Sequence, residues 1–261
     1  LCEVYAAAGT LPRNRGQLLQ QFVAERWKWE QQRRPEGWMD AAVQERALAQ
    51  LAYAITSSLG RGTSVPRTFV ETQLRSLVAP DQVVRLLRFG QAADLLESSG
   101  ADTQVRFSHQ LVQEYFAAVA LRDKLQQAQL TETIPIVGPW FRKRQLGQYA
   151  QAGKRTNWEE TLLLLAGIDG DGSIAQTLIR SFLGQPLQAA RLLAAEGTGA
   201  DPLLRDEVRQ EALRQIAEQP FDRRHRLDAG RALGLLGDPR VPIHDAEWQR
   251  SLAERGATLT D

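Results

Sequence analysis

Apolar residues recur at helical spacing along most of the chain, and short polar, proline or glycine breaks divide the pattern into segments. After Leu11-Pro12-Arg13-Asn14, the residues Leu18, Leu19, Phe22, Val23 and Trp27 define one apolar face, with Asn14 placed to cap the helix and Gln17 to reach back. A second helix from about Trp38 turns Leu48, Leu51 and Ile55 inward and stops near Gly60-Arg61-Gly62. A shorter unit, about Arg67 to Val78, precedes Pro80; another, with Val83, Val84, Leu87, Leu95 and Leu96, ends at Gly100. Thr103-Gln104-Val105-Arg106-Phe107 then alternates polar and apolar, which predicts a short strand whose partner the residues do not fix. Ser108 is expected to cap the next helix, with Leu111, Val112, Tyr115, Phe116 and Val119 as its buried stripe. Helices, then a strand leading into a helix, is the order of a winged-helix-like module.

From about residue 126 to 156 the composition shifts toward Gln, Gly, Pro and basic residues, among them Arg142-Lys143-Arg144 and Gly153-Lys154-Arg155, which predicts a loop-rich linker. Helices resume at Asn157, with Glu160 in a second capping-box position, and continue as about Ile174 to Leu183, Pro186 to Glu196, Pro202 to Ile216 and Asp222 to Leu236. Asp201-Pro202 starts one of them and Gly237-Asp238-Pro239 ends another. Small residues among the aliphatics, such as Ala189, Ala190, Ala229 and Ala232, allow close helix stacking without a clean repeat period. The expected fold is mainly α: a winged-helix-like helical domain with a short β wing at 1–125, a linker at 126–156, and an irregular HEAT-like helical domain at 157–261.

Composition narrows the function classes. The 261 residues are 43% hydrophobic and 24% charged, ordinary for a folded protein, and a formal net charge of +1 provides no global field toward nucleic acid or acidic membrane. The single cysteine, Cys2, excludes an internal disulfide and a multi-cysteine metal site. No apolar run is long enough for a membrane span and the start has no signal-peptide features, so a cytoplasmic protein is expected. The opening Leu-Cys-Glu-Val-Tyr reads as the interior of a helix, and residues upstream of Leu1 are expected to belong to the same fold.

Several motifs fail on chemistry. Gly147 to Thr156 imitates a phosphate-binding loop, but five residues separate its glycines and Arg155 stands where the hydroxyl is needed; a basic linker explains it better. Asp169-Gly170-Asp171-Gly172-Ser173 begins like a calcium loop, yet Ile174 occupies the required glycine and Arg180 the bidentate glutamate, so a helix-to-helix turn is expected. His109, His225 and His244 are scattered, without partners at ligand spacing, and no Ser, His and Asp set carries a nucleophile pattern. The residues predict no catalytic site complete within this chain.

Phe107-Ser108-His109-Gln110-Leu111-Val112-Gln113-Glu114-Tyr115-Phe116-Ala117-Ala118 resembles the F-x-H-x-x-x-Q-E-Y/F-F-A-A motif of the winged-helix domain in NACHT-type STAND ATPases, the class of animal NOD-like receptors and their bacterial relatives. Leu11-Pro12-Arg13-Asn14-Arg15 looks like the segment after that family's nucleotide-binding core, and Trp158 to Gly167 like the W-x-E-x-x-x-x-L-A-G helix that follows its winged helix. Ala229 to Arg240 looks like a HEAT-type unit found further along such proteins. The motifs stand in the family's order. The chain departs from the family in lacking the P-loop, the acidic magnesium-binding strand and the adenine-contacting motif, which would all precede Leu1.

The resemblance implies a signalling ATPase in which His109 contacts the β-phosphate of ADP and holds a closed resting state, with ATP or ADP and magnesium bound in the parent protein rather than by this fragment. It implies as partners the missing nucleotide-binding core, a protein or ligand trigger at the helical region, and a homo-oligomer on activation, with no membrane; antiphage defence or stress signalling is the implied output. From the residues alone, the favoured reading is instead that His109 packs against the strand and bonds a backbone carbonyl; the motif reverses that preference. Gln113 and Glu114 are expected to brace the lobe, and Tyr115 and Phe116 to be core. Two other readings stay open. One is a winged-helix nucleic-acid-binding protein, disfavoured because the helix from His109 to Leu121 carries no Arg or Lys. The other is a HEAT-like protein-interaction scaffold without nucleotide.

Overall fold

The computed structural model describes residues 12–34, 36, 38–59, 64–99, 103–130, 158–195, 197–218 and 223–241, together with Arg250 and Ala253. The linker expected from 131 on, the Gly147 to Thr156 segment, the Arg142-Lys143-Arg144 cluster, Cys2, His244 and Leu1 to Leu11 lie outside the described residues. The fold is mainly helical, with one small sheet. Its helices are α1 (Arg15–Arg33), α2 (Ala41–Leu59), α3 (Arg67–Leu74), α4 (Pro80–Ala92), α5 (Gln110–Leu130), α6 (Glu159–Ile168), α7 (Ser173–Ser181), α8 (Pro186–Ala194), α9 (Leu204–Glu218) and α10 (Arg223–Leu236). The strands are β1 (Ser64–Pro66), β2 (Leu96–Ser99) and β3 (Gln104–Phe107). Among the described residues no helix is long and apolar enough to cross a membrane.

The chain forms two compact units, one of Leu1–Leu178 with Ala195–Ala200, the other of Ile179–Ala194 with Asp201–Asp261. The division falls inside α7, later than the expected 126–156. Helix α5 runs through Leu130, and α6 packs on α1 and α5 within the first unit.

In the first unit the order α2-β1-α3-α4-β2-β3, with antiparallel sheet order β1-β3-β2, is a winged-helix arrangement. Val65 pairs with Val105, and Leu96 with Phe107. The strand predicted from alternation is thus the central one. β2 replaces the expected end of a helix, because Asp94 adopts φ 56 and stops α4. Leu95 then donates its amide to the Gly90 carbonyl at 2.8 Å, closing the helix end and releasing Leu96 into the sheet. Asp adopts this left-handed conformation more readily than most residues, so no glycine marks the stop.

Helix α5 is the centre of the unit. Every residue from Val112 to Leu121 is buried, against α1, α2, α6 and β3, so the predicted stripe is one side of a helix enclosed all round. Phe116 is its hub, with ring centroids 5.2 Å from Tyr115, 5.9 Å from Phe107 and 6.2 Å from Trp27. In the second unit α8, α9 and α10 pack pairwise, through Ala189, Ala190, Leu192, Val208, Ala212, Ala229, Ala232 and Leu233.

Candidate functional site

β3 ends at Phe107, and the bend into α5 is fixed from outside the helix. The Ser108 amide donates to the Leu95 carbonyl at 3.1 Å and its hydroxyl donates to the Asp94 carbonyl, so Ser108 anchors the bend rather than capping α5 as expected. The His109 carbonyl accepts from the Val112 and Gln113 amides at 3.0 and 3.2 Å, which makes His109 the residue that opens the first turn. Its imidazole is exposed and no side-chain hydrogen bond engages it among the described residues. That differs from a core histidine bonded to a backbone carbonyl. An exposed ring at a helix N-terminus, beside amides without intrahelical acceptors, is placed to meet an anion.

Behind it, one polar side chain of α5 bonds a neighbouring helix and another bonds within α5. Gln113 donates to the Thr56 hydroxyl of α2 at 3.3 Å. Glu114 is buried and accepts from Gln110 at 2.8 Å. Burial raises the Glu114 carboxyl above its ordinary value; the Gln110 bond opposes this, the Glu160 charge adds to it, and Arg15 lowers it. Arg15 of α1 is itself ion-paired with Glu160 of α6. Gln113 thus ties α5 to α2, whereas the Glu114 bond lies within α5, and Tyr115 and Phe116 are core at 1% and 0% exposure. Burial also holds the Tyr115 hydroxyl well above its ordinary value.

Two of the sequence motifs that lie far apart in the chain meet in the first unit. The Asn14 side-chain carbonyl accepts from the Gln17 amide at 2.9 Å, as a cap should. Its amide group donates to Gly167 at 3.0 Å and to Gly197 at 2.8 Å. Gln17 reaches back, though to the Arg13 amide, at 3.3 Å. A Cβ on Gly16 would lie 2.6 Å from the Leu164 carbonyl, so α1 and α6 approach backbone to backbone. The Asp169 to Ser173 segment is the expected turn, with the Asp171 carboxylate accepting from the Ser173 amide at 2.9 Å.

The position of a groove-reading helix differs from the one expected. In the observed topology that position belongs to α4, not to the helix after His109. Its outward stripe is Asp81, Val84, Arg85 and Arg88, all exposed, with Arg85 3.9 Å from Asp81. The signal was present: Pro80 at the first helical position, and Gln82 accepting from the Ala79 amide at 3.0 Å, mark an independent helix start. The Arg223 to Arg226 cluster begins α10 in the second unit, where Arg223, His225 and Arg226 are exposed.

The chain matches no protein-family model, no curated protein and no solved structure.

Proposed function

We propose that this chain is the regulatory portion of a NACHT-class STAND signalling ATPase, and that His109 contacts the β-phosphate of ADP in the resting state of the parent protein. The observation that carries the reading is the placement of His109: exposed, at the first turn of a buried central helix, directly after the last strand of a winged helix. The meeting of Asn14 with Gly167 adds support, because it joins two of the motifs that carry the resemblance. Nucleotide and magnesium would be held mainly by the nucleotide-binding core that the resemblance implies in the parent protein. The helices after α6 would sense a protein or ligand, exchange of ADP for ATP would release the lobe for oligomerisation, and defence or stress signalling would be the output.

The test is ADP titration of the full-length protein with and without His109→Ala. A lost hydrogen bond to a charged group, about 1.5–3 kcal/mol, predicts roughly 10- to 150-fold weaker binding and raised basal activity. Unchanged affinity together with unchanged basal activity would exclude the assignment.

A second reading has one observation in its favour, the Arg85 and Arg88 stripe on α4. A winged helix that enters a duplex groove would bind at low salt and weaken steeply as salt rises, and Arg85→Gln with Arg88→Gln would flatten that slope. No duplex binding at low salt removes it.

A further inference from the structure

We infer that Asn14 is a latch: its side-chain amide holds the Ala195–Ala200 segment on the start of α1, and its release is a conformational step that connects this segment to α5. Residues Ala195–Ala200 belong to the first unit although in sequence they lie between α8 and α9 of the second. Whatever displaces those helices therefore pulls on a segment docked elsewhere.

The segment's seating is mostly polar. Thr198 is its buried residue among those described, and it holds no large apolar side chain. What fixes it is the Asn14 amide on the Gly197 carbonyl and two close backbone approaches. Gly197 has φ 67, and a Cβ there would lie 2.4 Å from the Arg13 carbonyl. On the other side, a Cβ on Gly172 would lie 2.0 Å from the Gly199 carbonyl. A segment held by hydrogen bonds and backbone fit, without apolar anchorage, is drawn from the low-stability end of a structure and opens locally.

The same residue governs the α1 start. One Asn14 side chain caps α1 through its oxygen and ties α6 and the segment through its nitrogen. Arg15, next in sequence, pairs with Glu160 of α6, and α6 packs on α5, the helix that His109 opens. From Gly197 to α6 the links are named bonds, and from α6 to α5 the link is helix packing. What the latch regulates rests on the proposed function; that it holds the segment does not.

Hydrogen exchange on the purified chain tests it, with Asn14→Asp as the discriminating variant. Aspartate caps a helix as well as asparagine does, but its carboxylate has no hydrogen for Gly167 or Gly197. Amides of 195–200 should exchange at least about tenfold faster, as expected for a lost hydrogen bond, while amides of α4 and the sheet keep their rates. Below about pH 4 the introduced carboxyl regains a proton and the ratio to wild type should fall. If the variant does not fold, Gly197→Ala opens the segment from its own side and carries the same prediction. Unchanged exchange at 195–200, or equal acceleration throughout the unit, overturns the latch. Faster local exchange with unaltered ADP affinity in full-length Asn14→Asp overturns the coupling, whereas the His109→Ala titration decides the nucleotide reading separately.

Discussion

The two units solve the same problem, burying helical faces, with different side chains. In the first, bulky rings meet at α5: Trp27 and Phe107 pack against Phe116, beside Tyr115, on the helix that His109 opens. In the second, Ala189, Ala190, Ala212, Ala229 and Ala232 line the contacts between α8, α9 and α10, and Phe182 is the buried aromatic among the described residues. Large rings make a core that resists deformation and fixes one geometry, because each removal leaves a cavity. Alanine contacts let backbones approach and bury less area per residue. A ring-packed unit that carries His109 beside an alanine-packed helical unit is compatible with the proposed switch.

The comparison can be broken or sharpened by substitution. Phe116→Ala should give the largest effect, a loss of about 3–5 kcal/mol in the first unit, seen as a reduced denaturant midpoint and faster exchange throughout α5. A loss under about 1 kcal/mol would show that the ring cluster is not the hub. Ala232→Leu tests the opposite limit: overpacking an alanine contact should cost about 1–3 kcal/mol, with exchange rising in α8 and α9 but not in α5. Glu114→Gln should stabilise the first unit at neutral pH. The sign follows from the direction of the shift: a carboxyl raised above 4.5 in the folded state favours the protonated form, so stability falls as pH rises from the ordinary glutamate range through the raised value. The variant's gain should therefore shrink toward zero in acid, as thermal melts across pH would read. Smallest of all, His109→Ala should change stability by no more than about 0.5 kcal/mol, since the ring is exposed, while ADP binding in the full-length protein weakens.

Much of the helical pattern was legible before any coordinates. Asn14 and Gln17 announced α1, Asp201-Pro202 announced α9, and Gly237 with φ 85 closes α10 where a glycine was expected. These are local signals, carried by neighbours in sequence. The three-residue β1 and the strand β2 were not legible, because Ser64-Val65-Pro66 is too short for an alternation to show and Leu95-Leu96 continues the helical spacing of α4. The Gly237 end carries one further bond, since Arg209 of α9 donates to the Leu236 carbonyl there.

The same division holds at the candidate site. By itself the chain's pattern determined that a helix begins beside His109, that Tyr115 and Phe116 face a core, and that a cap sits at Asn14. Only the tertiary structure decided that this helix is buried on all sides, that His109 nevertheless stays exposed, that the outward Arg85 and Arg88 belong to the second groove-type helix of a winged fold, and that Asn14 reaches Gly167 and Gly197, 153 and 183 residues away. The reason is range: caps, turns and periodicity act over a few residues and are written in order along the chain, whereas enclosure, exposure and long hydrogen bonds depend on which distant backbones the packed core brings together.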